Sequence, residues 1–170
     1  MEIRNENNTQ LIMEEIKNPP KICAFTGHRF LEDDFSARKL KKEIKSLIKS
    51  GVTTFLCGMA MGFDLLCAET VISLKKEFEN IQLIACIPCE NQEKNYTEKD
   101  KKRYVKILKK VDEKIYSATV YYKGCMLARD RFMADKADVM IAYCKKNTGG
   151  TAYTVNYFQK NYPLKEIIFL

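Results

Sequence analysis

The sequence predicts an α/β fold: three layers, with a mostly parallel sheet of about six strands carrying helices on both faces. Three observations predict it. Short apolar runs recur without polar alternation, as in strands buried on both faces. Amphipathic segments of helical period separate them, at spacings that suit β-α-β units. Five of the seven glycines follow the first, second and fifth apolar runs, and Gly124 follows the fourth. Bare backbone gathered just past strand ends suits a sheet whose strands all finish at one rim.

Residues 1–20 read as a polar appendage closed by Pro19-Pro20, and 21–170 as a single domain. Ile22–Thr26 is the first predicted strand. Phe35, Leu40, Ile44, Leu47 and Ile48 then follow a helical period that Gly51 stops. Thr53–Cys57 is the second strand, followed by Leu65, Ala68, Val71 and Ile72 on one helical face. Ile81–Ile87 and then Tyr104, Leu108 and Val111 make the third strand and helix. Glu113–Ser117 is the fourth strand, with a helix opening near "MLARDRF". Val139–Cys144 precedes a helix marked by Ala152, Val155 and Phe158, and Glu166–Leu170 closes the sheet. The common strand order 3-2-1-4-5-6 would put strands 1 and 4 on either side of the ligand crevice, at the carboxyl ends of the strands.

Composition narrows the function classes. A 46% hydrophobic and 30% charged chain is globular rather than disordered. Its apolar runs are far shorter than the ~20 residues of a membrane span. The polar start lacks the apolar stretch of a signal peptide, and seven cysteines without a framework read as reduced thiols. The expected location is therefore cytoplasmic, with no membrane partner. Cys86 and Cys89 form one C-x-x-C, read as a core residue and a loop start. With His28 the only histidine, no metal is expected, and no cofactor. The net charge is +7, and since residues 1–20 hold −2, the remaining domain carries +9. That suits an anionic partner, although lysines in "ARKLKKEIKSLIKS" and "EKDKKRYVKILKK" also read as solvated helix faces.

Four rim motifs carry chemistry. "GMAMGFD" (Gly58, Met59, Ala60, Gly62, Asp64) opens a helix, whose first amides favour an anion. Asp64 would hydrogen-bond a ribose or cap the helix. "TGHR" (Thr26, Gly27, His28, Arg29) offers a hydroxyl, bare backbone, an imidazole to stack or move a proton, and a guanidinium fork for phosphate. "NTGGT" offers Thr148, Gly149, Gly150 and Thr151 as a backbone nest for phosphate. "MLARDRF" brings Arg129 to neutralise charge and Asp130 as a candidate catalytic acid or base. Tyr121 and Tyr122 would stack on a base or pack in the core. After the third strand, "CENQEKNY" reads as mostly solvated, with Glu93 a second candidate catalytic residue and Asn95 a possible ligand contact.

"TGHR", "GMAMGFD..CAE", "PCENQEKNY", "GCMLARDRFM" and "TGGTAYTV", in that order over residues 21–170, resemble the YpsA-like branch of the SLOG superfamily. That superfamily also holds DprA-like DNA-processing proteins and the LOG (Lonely Guy) phosphoribohydrolases. The resemblance implies a Rossmann-like fold and a site for nucleotides or nucleotide derivatives, and SLOG relatives often form homo-oligomers, here expected as a dimer. "GMAMGFD" is similar to the DprA glycine turn that lies beside single-stranded DNA. The LOG enzymes use Met-x-x-Arg-Lys, matched here by Met126 and Arg129 but with Asp130 in place of Lys. They also use Pro-Gly-Gly-x-Gly-Thr-x-x-Glu, matched by Gly149 and Gly150 but with Asn156 in place of the catalytic Glu. An amide supports proton transfer and charge stabilisation less well than a carboxylate.

The expected function is therefore binding of a nucleotide-derived ligand as a sensor or sequestering module. The alternatives are a nucleoside-monophosphate N-glycosidase and single-stranded nucleic-acid binding.

Overall fold

The computed structural model describes residues 19–170; the polar appendage lies mostly outside the described residues. Six strands form one sheet: β1 (Lys21–Gly27), β2 (Val52–Cys57), β3 (Gln82–Ile87), β4 (Glu113–Tyr116), β5 (Val139–Tyr143) and β6 (Glu166–Phe169). Five α-helices connect them: α1 (Ala37–Lys49), α2 (Phe63–Leu74), α3 (Glu98–Leu108), α4 (Cys125–Lys136) and α5 (Gly150–Asn161). Every strand pair is parallel. The architecture is a three-layer, Rossmann-like α/β fold. Among the described residues no helix is long and apolar enough to cross a membrane.

The strand side chains alternate between two cores. Cys23, Phe25, Phe55, Cys57, Leu83, Ala85, Ile141 and Tyr143 join Leu40 and Ile44 of α1, Leu65 and Val71 of α2, and Tyr104 and Ile107 of α3. Ala24, Leu56, Cys86 and Met140 point the other way, onto Met133 and Ala134 of α4 and Phe158 of α5. Both faces of the central strands are thus covered, which is why their sequence shows no polar alternation. The edge strands β4 and β6 are four residues long and partly exposed, a short edge that offers little to a stray strand.

The strand order corrects one expectation. It is β4-β3-β2-β1-β5-β6, so β1 and β5, not β1 and β4, flank the crevice where the order reverses. The chain runs outward through β2, β3 and β4 before returning. The return is made by α4, which leaves edge strand β4 and crosses the sheet against β3 and β1 on its way to β5. Arg129 therefore reaches the crevice on a crossing helix, not at the end of a flanking strand.

Candidate functional site

A cleft of ≈ 610 Å³ opens above the carboxyl ends of β1, β2, β3 and β5. It is lined by Thr26, Gly27, His28 and Arg29 after β1, Ala60 and Asp64 after β2, Gln92, Asn95 and Tyr96 after β3, Tyr121, Met126, Arg129 and Asp130 around α4, and Lys146 and Thr148–Thr151 after β5. The structure thus brings the four rim motifs together. Gly58, Met59 and Gly62 lie behind this wall. Glu93 faces a separate hollow with Glu90, Tyr104 and Tyr116, and Asn156 faces another, with Cys144 and Phe169.

The glycines divide into two kinds. A Cβ on Gly27 would stand 2.3 Å from the Phe63 ring, and one on Gly62, at φ +75°, 2.0 Å from the Arg29 carbonyl oxygen. On Gly58 it would stand 2.7 Å from the Arg129 guanidinium and 2.8 Å from Asp64 Oδ2. These three positions are bare because other parts of the protein press on them. Gly149, at φ +95°, and Gly150 have nothing within 4 Å. The turns open to a ligand are therefore those that begin α4, where Gly124 at φ +94° also has nothing within 4 Å, and α5.

The starts of α2 and α5 differ electrostatically as well. At α2, the Phe63 amide already donates to His28 O (3.1 Å). Asp64 sits in the first turn, where its carboxyl faces the positive end of the helix dipole. Helix α5 has no side-chain cap and no acidic residue in its first turn. Its leading amides and dipole are unanswered, and Arg29 and Lys146 line the same cleft.

Arg129 is buried, at 4% exposure. Its Nε donates to Asp130 Oδ1 at 2.7 Å, and its Nη1 to Cys86 O at 2.9 Å and to Gly58 O. It thereby fastens the ends of β2 and β3 to α4. Asp130 answers that charge, and its Oδ2 accepts from Thr154 Oγ1 at 3.4 Å. Among the described residues Asp64's side chain accepts only the Ala60 amide, at 3.2 Å. Burial pushes its carboxyl up to about 7, with Asp130 adding to the shift and Arg129 opposing it. Asp64 is thus poised to hold or release a proton near neutrality.

His28 Nε2 accepts the Lys145 amide at 2.8 Å and so pins the end of β1 to the chain leaving β5. Burial, and then the positive Lys146, lower its pKa. The imidazole is thus held neutral, with its proton on Nδ1. Arg29 Nη2 rests on Met126 Sδ at 3.7 Å. Gln92, in a segment whose sequence suits a mostly solvated loop, is buried, and it joins Tyr96 and Lys146 in lining the cleft. Their signal was the polar cluster after β3 and the lysine pair before "NTGGT", both of which also suit solvated loops.

Known proteins share this fold and sequence pattern. The profile of the family described as YspA SLOG (YpsA) matches residues 33–169. A UPF0398 protein of Bacillus licheniformis is 27% identical, over 82% of this chain and 84% of its own length. UPF0398 protein YpsA of Bacillus subtilis is 25% identical, over 82% of this chain and 85% of its own. Among solved structures, DNA processing protein A of Helicobacter pylori, described in a study of its single-stranded DNA binding mode, superposes with a TM-score of 0.66 at 21% identity over 88% of this chain. DprA of Streptococcus pneumoniae gives 0.64 at 18% identity, also over 88% of this chain. The chain spans 65% and 50% of those two structures, so the likeness is one of fold.

Proposed function

Because the chain belongs to the YpsA family of SLOG proteins, we propose that it binds a nucleotide or nucleotide derivative in the cleft at the carboxyl rim of its sheet, as a sensor or sequestering module. The observation that carries this reading is the open start of α5. A Cβ on Gly149 or Gly150 would meet nothing within 4 Å, and no side chain caps the leading amides. A phosphate lies on those amides, with Thr148 and Thr151 beside it and Arg29 and Lys146 balancing its charge. The test is mass spectrometry of small molecules released when the purified protein is denatured, followed by calorimetric titration of nucleotides and cyclic nucleotides. A nucleotide is expected in at least one of the two; a fully folded protein that releases and binds none refutes the reading.

Asp64 supports a second reading, cleavage of an N-glycosidic bond. A carboxyl with a pKa of about 7 on the cleft wall is suited to general acid–base work. Release of free base from a nucleoside monophosphate, abolished in Asp64→Asn, would establish it. A single-stranded oligonucleotide belongs in the same titrations, because of the DNA-binding relative. Affinity that falls steeply with salt would mark that mode.

A further inference from the structure

Apart from the uncapped turn of α5, the cleft has an aromatic wall that nothing in the described residues covers. Edge strand β4 ends at Tyr116, and residues 117–124 then lead to α4. The loop is anchored at its start, where the Ser117 amide donates to Ile87 O at 2.8 Å. It is closed at its end, where the Cys125 amide donates to Tyr122 O at 3.1 Å. Between these points Val120, Tyr121 and Tyr122 stand in a row, 72%, 67% and 48% exposed. Single apolar residues at a surface are ordinary. Three in succession form a contiguous patch, and such a patch marks a place where something binds.

Of the three, Tyr121 is the one that lines the cleft. Its exposure rules out core packing. Other surface tyrosines are tied down. Tyr153 stacks on Tyr157, and its hydroxyl accepts from Arg131 Nη1 at 2.9 Å. The hydroxyls of Tyr157 and Tyr162 donate to Asp135 Oδ1. Among the described residues Tyr121 has no such partner for its ring or its hydroxyl. The cleft it walls, at ≈ 610 Å³, is larger than a phosphate needs and suits a ligand the size of a nucleotide.

We infer that Tyr121 is a binding residue, whose ring stacks on the base of the nucleotide held in the cleft. This rests on the nucleotide reading above, and adds that the ligand carries a planar aromatic group. Every base has a π-face, so the ring reads the presence of a base rather than its identity.

The probes are the common ribonucleoside 5′-monophosphates, ribose 5-phosphate and inorganic pyrophosphate, titrated calorimetrically into the parent, Tyr121→Ala, Tyr121→Phe and Tyr122→Ala. The tightest-binding monophosphate is expected to bind the parent roughly 10-fold or more tightly than ribose 5-phosphate. Tyr121→Ala should shrink that preference to about 2-fold or less, and Tyr121→Phe, which keeps the ring, should retain it. Tyr122→Ala removes the neighbouring ring, which is not part of the cleft wall, and should also retain it. Ribose 5-phosphate and pyrophosphate affinities should stay unchanged throughout. Stacking also moves the base protons upfield in the nuclear magnetic resonance spectrum of the bound nucleotide, a shift that only Tyr121→Ala should reduce. No preference for the nucleotide over ribose 5-phosphate, a preference that survives Tyr121→Ala, or an equal loss in Tyr122→Ala each overturns the inference and leaves the anion site standing. If none of the probes binds, both readings fall.

Discussion

At the scale of single residues, the glycines and Asp64 carry the sharpest expectations. Gly62→Ala combines a left-handed φ with a backbone clash, and should cost more than ~3 kcal/mol. Gly58→Ala meets only side-chain atoms, but Arg129 is held by three partners and cannot swing away, so a cost of about 1–3 kcal/mol is expected. Gly150→Ala has open space and should be neutral or stabilising by up to about 1 kcal/mol. Urea denaturation of the three variants checks the ranking, and a Gly62 variant as stable as the parent would contradict the packing described. Asp64 sets a pH dependence. Its folded pKa of about 7 lies above the ordinary 3.8, so the folded chain keeps the proton that the unfolded chain gives up. Its contribution to stability is therefore lost as pH rises from about 4 to about 7, and is constant above that. The charged or titratable groups coupled to it include Arg129, Asp130, Arg29, Cys57 and Tyr96. Asp64→Asn should gain stability relative to the parent between about pH 4.5 and about pH 8, measured by denaturation at both. An unchanged difference would show that the carboxyl is not shifted.

At the scale of elements, α4 and α5 decide the site. Helix α4 carries Arg129 across the sheet, and its guanidinium is the cross-link between the ends of β2 and β3. Arg129→Met leaves Asp130 without its buried cation and frees two carbonyls, for which a loss of about 3–5 kcal/mol is expected by thermal or chemical denaturation. Helix α5 supplies the uncapped amides on which the proposed anion would lie, and its first turn needs no particular side chain to present them. Gly149→Ala forces a Cβ onto φ +95°, and should weaken pyrophosphate binding about 10-fold or more by displacing the leading amides, while Gly150→Ala has a smaller effect. Calorimetric titration of both variants tests this; equal loss in the two would argue that the amides are not the ligands.

At the scale of the whole molecule, six parallel strands with three helices on one face and two on the other place every connection from strand to helix at one rim. The net +7 charge is spread over helices as well as the cleft, so salt should weaken binding of a small anion less steeply than binding of a long polyanion. Titration of a mononucleotide and a single-stranded oligonucleotide from about 0.05 to about 0.2 M salt measures the two slopes. A steeper slope for the oligonucleotide is expected if both occupy the rim.

The sequence by itself determined the fold class, the sequence positions of all six strands and the rim motifs. Buried strands, amphipathic helices and glycine turns are local patterns, set by the periodicity and backbone freedom of neighbouring residues. It did not determine the strand order, because nothing local to β4 says that it lies at an edge. Nor did it show which glycines are bare for a ligand: Gly58 and Gly149 look alike in the chain, and only packing puts Arg129 over one and open space over the other. The same holds for Gln92. In sequence it is one polar residue among several, and only the tertiary structure buries it, turns its amide hydrogen to Gly58 and leaves its oxygen unmet.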